Sequence, residues 1–563
     1  MRLNRTIVAP AGAAALALTM ALPAAAQQIS EARIQELIKQ AAEQVATGQQ
    51  PAPAAQPAGT RPRVQLTLDD AVKLALDRNL DIAVQRLNPE INDIAIASIQ
   101  SVYHPALTST VSAASLSQLP TSQLIGGTDV VQSTQTINGG IAQNVPWGGG
   151  SFSVSLNNFR QTSTSNNVFY NPAIQSVWQG VYTQPLLRGF RIDSTRRSLQ
   201  VTKLNRDISD VQLRSTITNT LSNVRNAYWD YVFAVQSVDV TRQSVTLAEQ
   251  LVQDNQTRVQ VGTMAPIDVV QAQSQAATAR QNLAAAQQTM YTAELALKRL
   301  IVSGTQDPNW NATLDPVDRP DFLAQPIDVE AAVRRALSER TDLEIMKKDV
   351  QINDVTLKYL RDQMLPQTDF QATYGLAGIG GVSFPRSTTQ LGGNVPPVPG
   401  GISDTFSSLF NSRYPRWTVA LNISYPLFLS AQEASVARAR VQLNQVNAQV
   451  KQIELQVATD VTNAAVTAQT NVDRVQAARA ARELAQKQLE AEQSKFEVGM
   501  STNFNVIQAQ RDLATAQNNE LQSVLAYRKS LVELERLQQT TLQNLNITVL
   551  SPTAVGTVTV VPQ

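Results

Sequence analysis

Two periods alternate along this chain. Ile217, Leu221, Val224, Tyr228, Tyr231, Val235 and Val238 are spaced alternately by four and three, and Val446, Val450, Ile453 and Val457 repeat the spacing. That is the seam of a coiled-coil-like helix. No proline occurs in 191–261 or from about residue 432 to 498, so each run of roughly 70 residues predicts a helix about 100 Å long at about 1.5 Å per residue. Elsewhere the period is two. Phe152, Val154 and Leu156 alternate with serines, Phe370, Ala372, Tyr374 and Leu376 with polar neighbours, and Trp417, Val419, Leu421 and Ile423 with Thr418, Ala420, Asn422 and Ser424. Each stretch predicts a strand with one apolar and one polar face.

Such a strand alone fits a half-buried sheet in a soluble protein as well as a barrel wall. The segments between the strands, 118–130, 161–176 and 380–416, are polar and rich in Gly, Ser and Asn, and nothing in them is expected to cover an apolar face. The set therefore points to a barrel with lipid outside and water inside. An extra hairpin in the first half, from about Gln135 to Arg160 and turning at Pro146-Trp147-Gly148-Gly149-Gly150, is left open, so the strand count stays at four or six. Neither number closes a barrel with a lumen, which begins near about eight strands, and open edges in lipid are not tolerated. The chain is expected to complete its wall with copies of itself.

The chain is also duplicated. Residues 261–279 recur 237 positions later as 498–516, with nine identical positions and no gap. In each copy a glycine and turn-prone residues interrupt a helical run that then restarts, the tip of a helical hairpin. Gly262 and Gly499 read as backbone devices, and Pro266 suits a first helical turn. Upstream, AVKLAL (71–76), NLDI (79–82) and IND (91–93) have counterparts in AVRRAL (332–337), DLEI (342–345) and IND (352–354). Thr67 reads as the cap of a helix running through 66–103. Pro105 and Pro366 each stop a helix before the strands. Pro185-Leu186-Leu187 and Pro426-Leu427-Phe428 form matching corners where the strands give way to the long helices.

Residues 1–26 carry Arg2 and Arg5, an apolar run and the ending Ala24-Ala25-Ala26, the three parts of a secretory signal peptide. Residues 27–65 predict a short amphipathic helix and a Pro/Ala-rich linker, 66–303 the first repeat with strands within 106–185, and 304–325 an inter-repeat linker. The second repeat spans 326–545 with strands within 369–428, and 546–563 is a tail. Losing the leader takes the formal charge from +1 to −1, which gives no support for nucleic-acid binding. The chain has no cysteine, hence no disulfide, no thiol chemistry and no acylated lipoprotein anchor. After the leader no run of about 18 apolar residues appears, so any crossing of a membrane is expected through strands.

The signal peptide, the duplicated AVxxAL segments, the Pro-Leu corners and the two Val-Gly tips together resemble the TolC family of outer-membrane efflux and secretion channels, over nearly the whole mature chain. The resemblance implies a mainly α protein with a membrane β-barrel, long helical hairpins forming an α-helical tunnel and strands contributing to a shared trimeric barrel. It also implies a homotrimer in outer-membrane lipid, working with a periplasmic adaptor of the membrane fusion type and an inner-membrane pump of the RND, ABC or MFS class, in efflux or type I secretion. In that family an aspartate of the first tip and an arginine of the second hold the entrance shut, with acidic rings just inside. Asp268 matches the first aspartate. Ser501 stands where the arginine is expected, and Asn505 and Gln508 occupy the acidic-ring positions. Amides carry no charge and cannot concentrate cations as a carboxylate ring does, so this entrance is expected to close by hydrogen bonding and packing and to discriminate cations weakly.

Little here points to an enzyme, a metal or a cofactor. The single histidine, His104, cannot form a multi-histidine metal site, the glycines of 148–150 are followed by no GxxxxGK, and no HExxH or GxSxG occurs. The rival reading is a soluble periplasmic coiled-coil adaptor, whose hairpin also carries a tip but which has no use for a lipid-facing band. A secreted hydrolase is a distant third, lacking a catalytic cluster. Cargo is not legible.

Overall fold

The structure, a computed structural model, describes residues 62–119, 129–165, 168–319, 322–324, 326–385, 395–428 and 430–547. The leader, the N-terminal helix and most of its linker, and the tail beyond residue 547 lie outside the described residues. The first half runs β1 (Arg63–Leu66), α1 (Leu68–Arg78), α2 (Leu80–Ser101), β2 (Ala106–Gln118), β3 (Val130–Asn144), β4 (Ser151–Ser163), β5 (Tyr170–Pro185), α3 (Ser194–Gln260), α4 (Pro266–Ile301), α5 (Pro308–Asn311) and β6 (Thr313–Pro316). The second runs α6 (Val329–Glu339), α7 (Thr341–Asp362), β7 (Gln367–Ser383), α8 (Ile402–Phe410), β8 (Pro415–Ser424), α9 (Ala431–Glu497), α10 (Asn503–Leu537) and α11 (Thr541–Asn544). Helices α3 and α9 are each 67 residues long. Their first residues, 194 and 431, are separated by the same 237 positions as the tips.

Among the described residues, six strands form one antiparallel sheet in the order β2-β3-β4-β5-β7-β8. Its two faces follow from the register. One row crosses all six strands as Leu107, Ile141, Val154, Gly180, Tyr374 and Trp417. The row beside it, pointing the other way, is Thr108, Gly140, Ser155, Gln179, Gly375 and Arg416. Successive side chains of a strand point to opposite faces, so the sheet is apolar on one side and polar or small on the other. Away from one end of β5 and β7 the apolar face is bare: Leu107 is 80% exposed, Trp417 74% and Ile423 65%. Among the described residues no helix is long and apolar enough to cross a membrane.

Three expectations need correction. The helix expected over 66–103 is two helices, because Asn79 breaks it: its side chain accepts from the amides of Asp81 and Ile82 while its Nδ2 donates to Leu300 O at 2.9 Å. Leu66 belongs to β1, which pairs in parallel with β6, so strands lie inside segments read as linkers. Four-residue strands with partners 250 positions apart leave no period to read. Finally, the polar 380–416 segment does cover part of the sheet. Helix α8 packs on β7 and β5 on the face of Tyr374 and Leu376, toward the ends remote from the long helices. Gly378 and Gly380 let it approach: a Cβ at Gly378 would lie 2.1 Å from Thr405 O. Thr405 Oγ1 donates to Ile174 O and Ser408 Oγ accepts from the Ile379 amide.

The main core surrounds α3, which packs against α4, α10, α2, α7 and α1. Leu221, Val224 and Tyr228 are fully buried there with Leu297 and Ile301 of α4. The small β1–β6 sheet is pinned to α3 by two phenols. Tyr228 donates to Leu66 O at 3.0 Å and to Asp318 Oδ2 at 2.8 Å, and Tyr231 donates to Leu314 O. Burial pushes both hydroxyls well above the ordinary tyrosine range, so they remain donors. Beside β6, Lys298 and Glu294 form a buried ion pair at 2.8 Å. Lys298 also donates to Ala312 O, and Glu294 accepts from the Leu314 amide at 3.2 Å.

Candidate functional site at the hairpin tips

Each long helix ends by the same chain of backbone bonds. At the end of α3, Gly262 takes φ +79°, its amide donates to Val259 O at 3.0 Å, and the Thr263 amide donates to Arg258 O at 2.9 Å. At the end of α9, Gly499 takes φ +78°, its amide donates to Phe496 O at 3.2 Å, and the Met500 amide donates to Lys495 O at 2.8 Å. This pair of bonds ends a helix with one left-handed residue, which favours glycine. No atom stands within 4 Å of a Cβ built at either position, so the backbone conformation alone selects glycine there. The return helices restart with Pro266 at the first turn of α4 and Asn503 at that of α10. Asp268, also in the first turn of α4, carries its charge at the favourable end of the helix dipole. Asn505, its counterpart, does not.

The two tips are joined by residues that differ between the repeats. Asn255 of α3 and Asn503 are both buried, and Asn255 Nδ2 donates to Asn503 Oδ1 at 2.9 Å. Asn503 Nδ2 in turn donates to the backbone carbonyl of Asp268 at 3.2 Å. Arg258 donates to Phe496 O at 3.1 Å and lies over the Phe496 ring, 4.5 Å from its centre, a cation–π contact. One helical turn or more away, Arg511 donates to Gln275 Oε1 at 2.8 Å. Leu251, Ala272, Phe496, Val506 and Leu513 pack between these polar links. Both hairpins thus end in one hydrogen-bonded, packed unit.

The residues singled out by sequence lie around this unit. Ser501 donates to Glu492 Oε2 at 2.7 Å, and Asn505 Nδ2 donates to Ser501 Oγ at 3.3 Å. Hydrogen bonds from Lys495 and Ser501 hold the Glu492 carboxyl below its ordinary range. Asn505 and Gln508 are exposed, and Gln508 Nε2 donates to Asp512 Oδ1 at 2.9 Å. A carboxylate therefore follows the two amides along the same helix stripe. Pro105 and Pro366 precede β2 and β7, Pro185 closes β5 and Pro426 follows β8, all remote in sequence from the tips. Asn255, Asn503, Arg258, Phe496 and Glu492 escaped the sequence reading, which weighted positions identical in the two repeats. The usable signal was the reverse for the polar links: at 237 positions' separation Asn255 aligns with Glu492 and Asn503 with Pro266, while the apolar packing includes the repeated pair Ala272 and Ala509. Among the described residues no group of His, Cys, Asp and Glu could hold a metal ion.

A largely bare apolar face on an unclosed antiparallel sheet, continued by long helical hairpins, defines one segment of a channel wall. The family model for outer membrane efflux proteins matches residues 151–302 and 332–538, and the chain belongs to that family, the TolC-like outer-membrane channels. Its six-stranded sheet lies in the outer membrane and its long helices in the periplasm. Among solved structures it is similar to the outer-membrane channel OprN, at 16% identity and TM-score 0.60 over 84% of this chain and 89% of that one. It is also similar to the Campylobacter jejuni CmeC outer membrane channel, at 13% identity and TM-score 0.59 over 85% and 88%. The open state of the Neisseria gonorrhoeae MtrE outer membrane channel matches at 15% identity and TM-score 0.57 over 84% and 88%. A comparison with curated proteins found no match.

Proposed function

We propose that three copies of this chain form a closed barrel and tunnel, giving substrates a passive exit from periplasm to exterior. The substrates are delivered by an inner-membrane transporter through a periplasmic adaptor, and the chain itself catalyses no reaction. The observation that carries the reading is the six-stranded sheet, apolar on one side, polar on the other and, among the described residues, unpaired along the outer edges of β2 and β8. Six strands fall short of the about eight that close a barrel, and a bare edge in lipid leaves backbone groups unsatisfied. Counting along the antiparallel order, β2 and β8 run in opposite directions, so β8 of one copy can pair antiparallel with β2 of the next. The exposed residues of α9, Leu455 at 72% and Val441 at 68% among them, supply helix faces for the neighbouring copy.

At the tips, Val261, Ile267, Val498, Met500 and Phe504 are all exposed. They fit an adaptor that reads the hairpin ends by apolar contact. The entrance is held by the Asn255–Asn503–Asp268 hydrogen bonds and the packing beneath them, and its neutral amides at Asn505 and Gln508 discriminate cations weakly. Recordings across planar bilayers test this: weak cation preference is expected, and strong preference or block by multivalent cations at the entrance would count against it. Crosslinking in cells tests the partners, with an inner-membrane transporter expected to co-purify. Recovery of the intact protein in soluble periplasm would instead favour the adaptor reading.

A further inference from the structure

The two halves contribute unequally to the sheet. In the second half β7 follows a helix and β8 leads into α9, with no strand of the sheet between them among the described residues; in the first half β2 and β5 hold those places, and β3 and β4 stand between them. We propose that β3–β4 is an inserted hairpin built into the channel wall, so that the assembled barrel has eighteen strands where equal repeats would give twelve. The inference rests on the three-copy reading above.

Three observations place the hairpin in the wall. It is fully paired on both sides, β3 with β2 and β4 with β5, over 13 and 11 residue pairs. Its alternation matches that of its neighbours: Ile137, Ile141, Val154 and Leu156 share the apolar face, while Asn138, Gly140, Ser153 and Ser155 share the polar one. A flap folded into the lumen would put both faces in water and leave the isoleucines uncovered. Moreover, its turn is locked to the corner after β5. Gly148 O accepts from the buried Gln184 Nε2 at 2.7 Å, Gly148 and Gly149 take φ +66° and +69°, and a Cβ at Gly149 would lie 2.6 Å from Gly189 O. An added pair of strands also preserves the up-and-down order, so the ring still closes antiparallel.

The consequence is width. At about 4.8 Å between strands tilted by about 40°, eighteen strands wrap a backbone cylinder of about 18 Å radius and twelve one of about 12 Å. The added lumen surface carries mainly hydroxyls and amides, with Gly140 and Phe159 among them, and no charge. Such an exit admits bulky hydrophilic cargo and leaves selection to the tips.

Because the natural chain has no cysteine, single cysteines report each face of the full-length channel in lipid nanodiscs. Asn138→Cys and Ser155→Cys should react with a charged, water-soluble thiol reagent at least about tenfold faster than Ile141→Cys and Val154→Cys, since the reacting thiolate needs water. Equal labelling on both faces would overturn the proposal. Electron cryomicroscopy of the unmodified channel should show six strands per copy in the wall, and four, with the hairpin detached, would overturn it equally. A native mass other than three copies would break the stoichiometry above while leaving the labelling of the hairpin's faces to stand, so the two failures are distinguishable.

Discussion

Helices α3 and α9 have the same length and occupy the same place in the two repeats, yet they do opposite work. Down the middle of α3, Leu221, Val224, Tyr228, Tyr231 and Val232 are buried by the chain's own β1–β6 sheet, α1 and α4. Along α9 the corresponding seam is covered only in part. Val457 and Val461 are buried, while Val446, Val450 and Ile453 are half-covered and Val441 and Leu455 are exposed. Helix α9 packs against α10, α7 and α6. One copy has become an interior post and the other leaves apolar surface exposed. Duplication gave two equal hairpins, and divergence at the contact positions assigned them different tasks.

The largest expected effect lies in the first half, beside the β1–β6 sheet. Lys298 and Glu294 are almost wholly buried, and Lys298→Met leaves the carboxylate without its partner, a cost of about 3–5 kcal/mol. Thermal unfolding of the detergent-solubilised protein should show it, with recovery in the double variant Glu294→Gln/Lys298→Met. The matching positions of the second half, Leu531 and Glu535, form no such pair; Glu535 reaches Arg225 of α3 instead. If Lys298→Met unfolds no more readily than an exposed change, the two halves do not differ as argued.

Next comes the joint between the tips. Asn503→Ala removes a bond to Asn255 and one to Asp268 O, stranding buried polar atoms at about 1–3 kcal/mol. Asn505→Ala, two positions on and exposed, should stay within about 0.5 kcal/mol. Hydrogen exchange at both tips and single-channel conductance should change with the first variant only. Equal effects would mean that the buried amides do not fasten the entrance. Smaller and symmetric effects belong to the glycines. Gly262→Ala and Gly499→Ala each force a side chain into left-handed backbone at about 1–2 kcal/mol, and unequal local exchange would break the equivalence of the two helix ends.

The smallest effect is a pH response of the second tip alone. Glu492 has a depressed carboxyl in the folded protein, so its bonds to Lys495 and Ser501 contribute stability above its unfolded pKa. That contribution disappears as pH falls through the lower folded value. Exchange at 498–501 should therefore quicken in acid, below the ordinary carboxylate range, more than at 261–264. Glu492→Gln should remove the difference.

Much of this architecture was legible in the chain. The 237-residue offset, the two tips and the two-faced strands rest on patterns that recur, and recurrence separates them from chance. The unread parts are those without a period. Strands β1 and β6 are too short to alternate, the break at Asn79 depends on one side chain turning back on the backbone, and α8 hides in a segment whose small residues read as loop. At the tips, the identical positions Gly262 and Gly499 proved to be helix terminators, while the fastening between hairpins fell to Asn255 and Asn503, which the repeat does not conserve within itself. An alignment of the two halves rewards sameness, whereas the polar links between them are made where they differ.

Native mass spectrometry of the full-length protein, released gently from detergent, tests the central claim most directly. The account predicts a single species of three copies, because the β2 and β8 edges and the exposed face of α9 find partners only in other copies. A stable single copy in detergent-free buffer, with its apolar sheet face shielded within the chain, would contradict it.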